Sequence, residues 1–449
     1  MRKYLVGLVT AMVAMASGAT SYAADEEAFR DAFLSGNLSY DDVLARAAEE
    51  GEVNWFFWGG SQALNTWVET SVSAAMAELG VKLNVTHITN TRDAVDLALA
   101  EKATGKGLGE GSVDAIWING ENFYTLAKND LLFGSFAQLL PSSQYLFWDP
   151  SDARSGANLF DFGFPTESRE MPWGAGQYIC YIDTSRLSAS DAPTTFAELE
   201  AWLQDSPGRF TYIAPPHFNG NTFVQEVMYA HNPDGTGHAP FMSSAESLGS
   251  AEIARLITPG FEYLKRIEPN LLGGSDPVYP KDQNVNETLV ASGEVDMACR
   301  FGTSAVHTGI SNGTLPPTTQ NHLFPEGYMI GNKNFIGIPG NAPHPAAALV
   351  LANVLASPDS QISRLETIGY EIGIDAPKLS STDLQRVADG MPPLYGVTLE
   401  GLGNNKVPDT NASLVDIIEG VWMEYIERGD TSRSLGQIVA DVYNSKYGS

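Results

Sequence analysis

Apolar and polar positions in the first third of the chain follow a strand period and a helix period in turn. Residues 52–58 (EVNWFFW) read as a strand and Gly59-Gly60-Ser61 as a tight turn. A helix is predicted next, with Leu64, Trp67, Val68, Val72, Met76 and Leu79 on one face at helical spacing. Residues 81–88 alternate like a second strand, 91–104 read as helix, and the glycine-rich 105–111 (GKGLGEG) as a flexible connector. The apolar run 113–118 (VDAIWI) predicts a buried strand ending in Asn119-Gly120-Glu121-Asn122, with helix following over 123–132. This repeated strand–helix order implies a parallel sheet with helices on both faces.

From 141 to 172 the periodicity lapses into aromatic, proline, glycine and serine positions. Residues 171–183 (MPWGAGQYICYID) then predict one long strand, a first crossing out of the opening domain. A second α/β run follows: helix 196–203, strand 210–214, the turn PPHFNGN, helix 222–231, helices near 250–267 and 284–292, and strand 295–301. The stretch 331–362 organises the whole. Its apolar strand (335–338) enters a Pro/Gly turn, and an alanine-rich helix follows that stops at Ser357-Pro358. Proline cannot continue a helix and turns the residue before it away from helical angles. A helix so small-residued and apolar must pack against something already built, so here the chain returns to close its first domain. Leaving one domain, building a second and coming back makes two lobes on a strand hinge. The expected boundaries are 1–23 for an export signal, 24–175 for the first part of lobe 1, 176–332 for lobe 2, and 333–449 for the return plus C-terminal helices.

A length of 449 residues suits two domains better than one. The formal net charge of −28 argues against nucleic acid or an anionic membrane as partner, since phosphate would repel it. It reads either as a solubility adaptation or as an acidic binding face. Met1-Arg2-Lys3 is a basic start, 4–16 an apolar run too short to span a membrane, and Ser21-Tyr22-Ala23 a peptidase site. No cysteine adjoins that site to carry a lipid, so a free periplasmic product is expected. Cys180 and Cys299 both lie in apolar runs. They are either a disulfide of an oxidising compartment or two small buried hydrophobes, and their spacing excludes a CxxC motif.

Four segments in this order carry a resemblance: EVNWFFWGGSQALNTWVE, VDAIWINGENF, MPWGAGQYICYIDTSRL and NKNFIGIPGNAPHPAAALVLANVLASPDSQ. Together they resemble family 1 of the extracellular solute-binding proteins, the type II periplasmic binding proteins of ABC importers, and most of all its YnjB-like subgroup. The resemblance implies a two-lobed α/β protein without chemistry or cofactor. Such a protein closes on a solute and hands it to a membrane permease driven by an ATPase; a monomer is expected.

The residues support the same site. In open α/β sheets ligands bind beyond the carboxyl ends of strands, where helix N-termini present unpaired N–H groups. Trp58, Gly59, Gly60 and Ser61 form one such loop, Asn119, Glu121 and Asn122 a second, Phe218, Asn219 and Asn221 a third, and Arg300 and Phe301 a fourth. Trp173, beside the hinge, is expected at the cleft floor or in packing. Gly59-Gly60 also serves as a mere turn, Glu121 as a favourable acid in a first helical turn, and the asparagines as loop formers. Arg300, ending an apolar strand, must meet a ligand anion or a fixed carboxylate.

Enzyme readings fare worse. Gly59-Gly60-Ser61 approaches a nucleophile elbow, but the last glycine is missing and His307, His322 and His344 sit in no triad context. A serine hydrolase using Ser61 is the alternative reading. The loop HNPDGTGH is a turn sequence, not a metal site, and 105–111 follows a helix where a nucleotide loop would follow a strand. Ferric-binding relatives use adjacent tyrosines, and none occur here. Glu121 is the one strong cleft acid placed by sequence, which disfavours a polyamine. Trp58, Trp173, Phe218 and Phe301 with Arg300 and several amides lead to the expectation of a small organic solute bearing an anionic group. A thiamine-like cation or a sugar are the other options.

Overall fold

Alternation in EVNWFFW builds the first strand. Val53, Trp55 and Phe57 bury on one face of β1 (Glu52–Trp58) while the residues between them are half-buried on the other. In the computed structural model, which describes residues 25–448, β1 pairs in parallel with β2 (Lys82–Ile88) and β3 (Ala115–Ile118). A small hairpin, β4 (Phe160–Asp161) and β5 (Phe164–Pro165), interrupts the long irregular stretch. The main sheet continues through β6 (Glu170–Asp183), β7 (Met297–Phe301), β8 (Thr319–His322), β9 (Met329–Gly337) and the short β10 (Lys406–Val407). The expected export signal lies outside the described residues.

β6 belongs to both lobes. Its first half pairs antiparallel with β9, as Glu170↔Gly337 through Gln177↔Gly331, and its second half pairs with β7 and β8. Almost every residue of β6 is buried, as its near-continuous apolar sequence requires. The register slips at Trp173, between Pro172 and Gly174. There the backbone of Gly373 crosses so closely that a β-carbon on it would stand 2.4 Å from the Gly174 nitrogen. A bulge beside a glycine crossing is where a strand hinge bends with least resistance.

The return segment is longer than its apolar core suggested. β9 starts at Met329, and β3 pairs with its far end, Ile116↔Gly337 to Ile118↔Phe335. The helix Pro345–Leu355 that follows is buried along most of its length, and the N–H groups of Ala346 and Ala347 donate to the Glu50 carboxylate. Pro358 proves to be a start as well as a stop. It opens the helix Pro358–Ile368, capped by the Ser357 hydroxyl, because the first helical position has no use for an N–H.

Trp55, Phe57, Trp67, Trp173 and Leu349 form the core on one side of the first lobe's sheet. Val95, Ile116, Ile118, Phe123 and Leu126 form that on the other. The second lobe's core gathers Tyr178, Tyr212, Phe223, Val227 and Tyr263, together with Ile417, Trp422 and Ile438. The last three come from Ala412–Trp422 and Leu435–Tyr447, so these C-terminal helices pack into the second lobe. The strand expected over 210–214 does not form. Phe210 alone bridges to Met297, while the carbonyls of Val278 and Pro280 take the Thr211 hydroxyl and the Ala214 N–H. Cys180 and Cys299 face each other across β6 and β7 and are joined as a disulfide.

Candidate functional site

Between the lobes lies a cavity of about 820 Å³. The loops after β1, β2 and β3 line it from one side, and the start of helix Phe218–Ala230 and the end of β7 line it from the other. Of the residues predicted from sequence, Trp58, Gly60, Ser61, Asn119, Glu121, Asn122, Phe218, Asn219, Arg300 and Phe301 line this cavity. Gly59, Trp173 and Asn221 do not line it.

Each exception has a structural reason. A β-carbon on Gly59 would lie 2.9 Å from the His87 Cβ, so the glycine permits β1 and β2 to meet. Trp173 points into the first lobe's core, fully buried, with its Nε1 donating to the Phe335 carbonyl at 3.2 Å. It stands edge-on behind Trp117 at 5.0 Å, and Trp117 takes the cleft position expected of it. The Nδ2 of Asn221 donates to a Glu419 oxygen at 3.1 Å, so this asparagine holds a neighbouring carboxylate.

Among the lining residues, several are committed within the protein. Ser61 caps helix Gln62–Trp67, its Oγ accepting from the Leu64 N–H at 3.4 Å; no described histidine is hydrogen-bonded to it. Asn219 ties two elements together, donating to Gln283 Oε1 at 3.0 Å and accepting from the Phe301 N–H at 3.1 Å. Arg300 pairs with Glu287 from helix Gln283–Ser292 and also donates to the Phe301 carbonyl. Its positive charge is therefore answered inside the protein. This pairing removes the ground on which an anionic ligand group was expected.

Aromatic rings make the walls. Trp58 meets Trp117 edge-on at 5.8 Å on the first lobe, and Phe218 meets Phe301 at 5.1 Å on the second. Gly60 lies directly under the Trp58 ring, where a β-carbon would fall 2.0 Å from Cζ2.

The charges were mostly invisible to sequence reading. Asp93, Asp96, Glu121, Glu287, Glu371, Asp416 and Glu419 all line the cavity, against Arg92, Arg300 and Lys446 as cations. Asp416 and Glu419 arrive on the C-terminal helix Ala412–Trp422, and Arg92, Asp93 and Asp96 on the first turns of Thr91–Ala103. The half-polar face of Ala412–Trp422 was the available signal. Burial pushes the Glu121 carboxyl up to about 8, with the neighbouring Asp416 and Glu419 carboxylates raising it further and Arg92 opposing. Burial likewise raises Glu419, against the hydrogen bond from Asn221. His217 is lowered by burial, which keeps it neutral. Among the described residues no group of histidine, cysteine and carboxylate side chains could hold a metal ion, and no helix is long and apolar enough to cross a membrane.

Residues 70–380 match the family model described as bacterial extracellular solute-binding protein. Protein YnjB of Escherichia coli K12 is 31% identical over 372 residues, covering 80% of this chain and 91% of that protein. MalX of Streptococcus pneumoniae, solved with maltopentaose, superposes with a TM-score of 0.59 at 13% identity, covering 88% of this chain and 99% of MalX. An ABC transporter protein from Clostridium perfringens superposes at 0.56 with 14% identity, covering 84% of this chain and 99% of that one.

Proposed function

Since the chain belongs to the bacterial extracellular solute-binding protein family and has its ABC-importer fold, we propose that it captures a small organic solute by hinge closure. The observation that carries this is the shared cavity: both lobes contribute walls, and the paired strands β6 and β9 run between them. A solute touching both walls is fully engaged only when the lobes are closed, so it shifts the population toward that state. The closed complex then presents the solute to a membrane permease with its ATPase. The protein works as an exported monomer, free in the periplasm and carrying out no reaction on its cargo. Ser61 caps a helix and no described histidine is hydrogen-bonded to it, which speaks against the hydrolase alternative.

Native mass spectrometry of protein purified without denaturation should reveal a bound mass that is lost on unfolding. Small-angle scattering should show the stripped protein expanding and contracting again when that compound is restored. A radius of gyration indifferent to it would refute closure. The N-terminal residue of the exported protein should be Ala24; an uncleaved or lipidated product would refute the free periplasmic form.

A further inference from the structure

We propose, resting on the solute-binding reading above, that the solute is an organic cation whose protonated nitrogen donates a hydrogen bond to Glu121 between the aromatic walls. The charge inventory of the cavity points there. Arg92 is paired with Asp96 at 2.7 Å, Lys446 with Asp416 at 2.6 Å, and Arg300 with Glu287. That exhausts the lining cations and leaves Asp93, Glu121, Glu371 and Glu419 without a positive partner. Those whose contacts are resolved have neutral donors only: Asn122 for Glu121, Thr303 for Glu371 and Asn221 for Glu419.

A second observation is independent of the carboxylates. Trp58, Trp117, Phe218 and Phe301 supply the ring faces on which a cation or its hydrocarbon body rests favourably. An anionic solute would meet no free cation in the cavity. It would also face the carboxyl groups of Glu121, Glu371 and Glu419, none of them paired with a cation.

The surroundings of Glu121 give the site its pH sense. Arg92, itself paired with Asp96, approaches from helix Thr91–Ala103, Glu419 and the Lys446-paired Asp416 from Ala412–Trp422, and Asp161 from β4, its carboxylate accepting from the Gly120 N–H. Glu121 ionises more fully as the pH rises toward and past its elevated value, while an alkylamine stays protonated. Affinity for such an amine should rise from pH 6 to pH 8.5.

The experiment measures thermal stabilisation of ligand-stripped protein by three panels at millimolar concentration. Putrescine, spermidine and benzylamine are the amines, with choline as a cation lacking N–H donors. Citrate and glucose 6-phosphate are the anions, and maltose and glucose the sugars. At least one amine should stabilise the protein and outbind choline. Its dissociation constant should rise tenfold or more in Glu121→Gln and in Glu419→Gln, and its pH dependence should flatten in Glu121→Gln. Both substitutions are isosteric and remove a repelled carboxylate, so folding is preserved. Stabilisation by anions or sugars alone overturns the cation and leaves solute binding standing. Amine binding indifferent to both substitutions also overturns it. No response to any panel overturns the cation together with the capture of a small organic solute.

Discussion

Arg300 and Glu121 stand on opposite walls of one cleft, and the protein treats their charges in opposite ways. Arg300 ends a strand of the second lobe and finds Glu287 beside it, on the helix that precedes its own strand. Glu121 opens a helix of the first lobe beside two more carboxylates, Asp416 and Glu419 of the C-terminal helix, with Arg92 opposing them. One charge is neutralised by its own lobe. The other is suppressed by its surroundings, which raise the carboxyl to about 8. A charged side chain at a strand end is therefore no guide to a ligand until its internal partner is known.

The comparison is tested most severely by breaking the arginine pair. Glu287→Gln strands a guanidinium that cannot shed its charge, and should cost about 3 kcal/mol in denaturant unfolding. Arg300→Gln should cost less, because the remaining Glu287 can take up a proton. Equal losses in the two variants would show that the pair does not neutralise a buried charge.

A second test follows from pH. Burial raises Glu121 to about 8, and raises Glu50 and Asp409 to about 7. A carboxyl whose folded value lies above its unfolded one binds its proton more tightly in the fold. The fold is then favoured at low pH and loses that advantage as pH climbs from the unfolded value, near 4.5, through the folded one. Ligand-free protein should melt several degrees lower at pH 8 than at pH 5.5. Glu121→Gln should narrow the gap, and an unchanged gap would mean that Glu121 is not held protonated by its surroundings.

The smallest expected effect concerns Lys446, which neutralises Asp416 at the rim. Lys446→Met adds one more unanswered carboxylate to the cavity. It should tighten binding of the stabilising amine by two- to fivefold in calorimetry, with little change in melting temperature, since a half-exposed pair contributes about 0.5 kcal/mol. Weaker amine binding would contradict the assignment of negative excess to the cleft.

Much of this was legible along the chain. The alternation of EVNWFFW, the glycine-rich turn after it and the buried VDAIWI strand set three parallel strands with their loops at one sheet edge, and ten of the thirteen predicted residues line the cavity. Trp173 stayed open between cleft floor and packing because strand periodicity names two faces without saying which one the partner lobe covers. The β-bulge at that residue settles it, turning the ring into the core behind Trp117. The 210–214 strand failed because an apolar run needs a neighbour to pair with, and here residues 272–280 occupy that edge.

Local pattern alone determined that two α/β lobes form, that the chain returns late to its first lobe, and where the cavity-lining loops lie. These follow from periodicity and turn chemistry, which act over a few residues. The sign of the cleft was decided only by tertiary structure. It depends on Glu121 lying beside Asp416 and Glu419 from the far end of the chain, and on Arg300 being consumed by Glu287 from the preceding helix. Coulomb interactions are set by distance in space and by the burial around them, and neither is written in the order of residues.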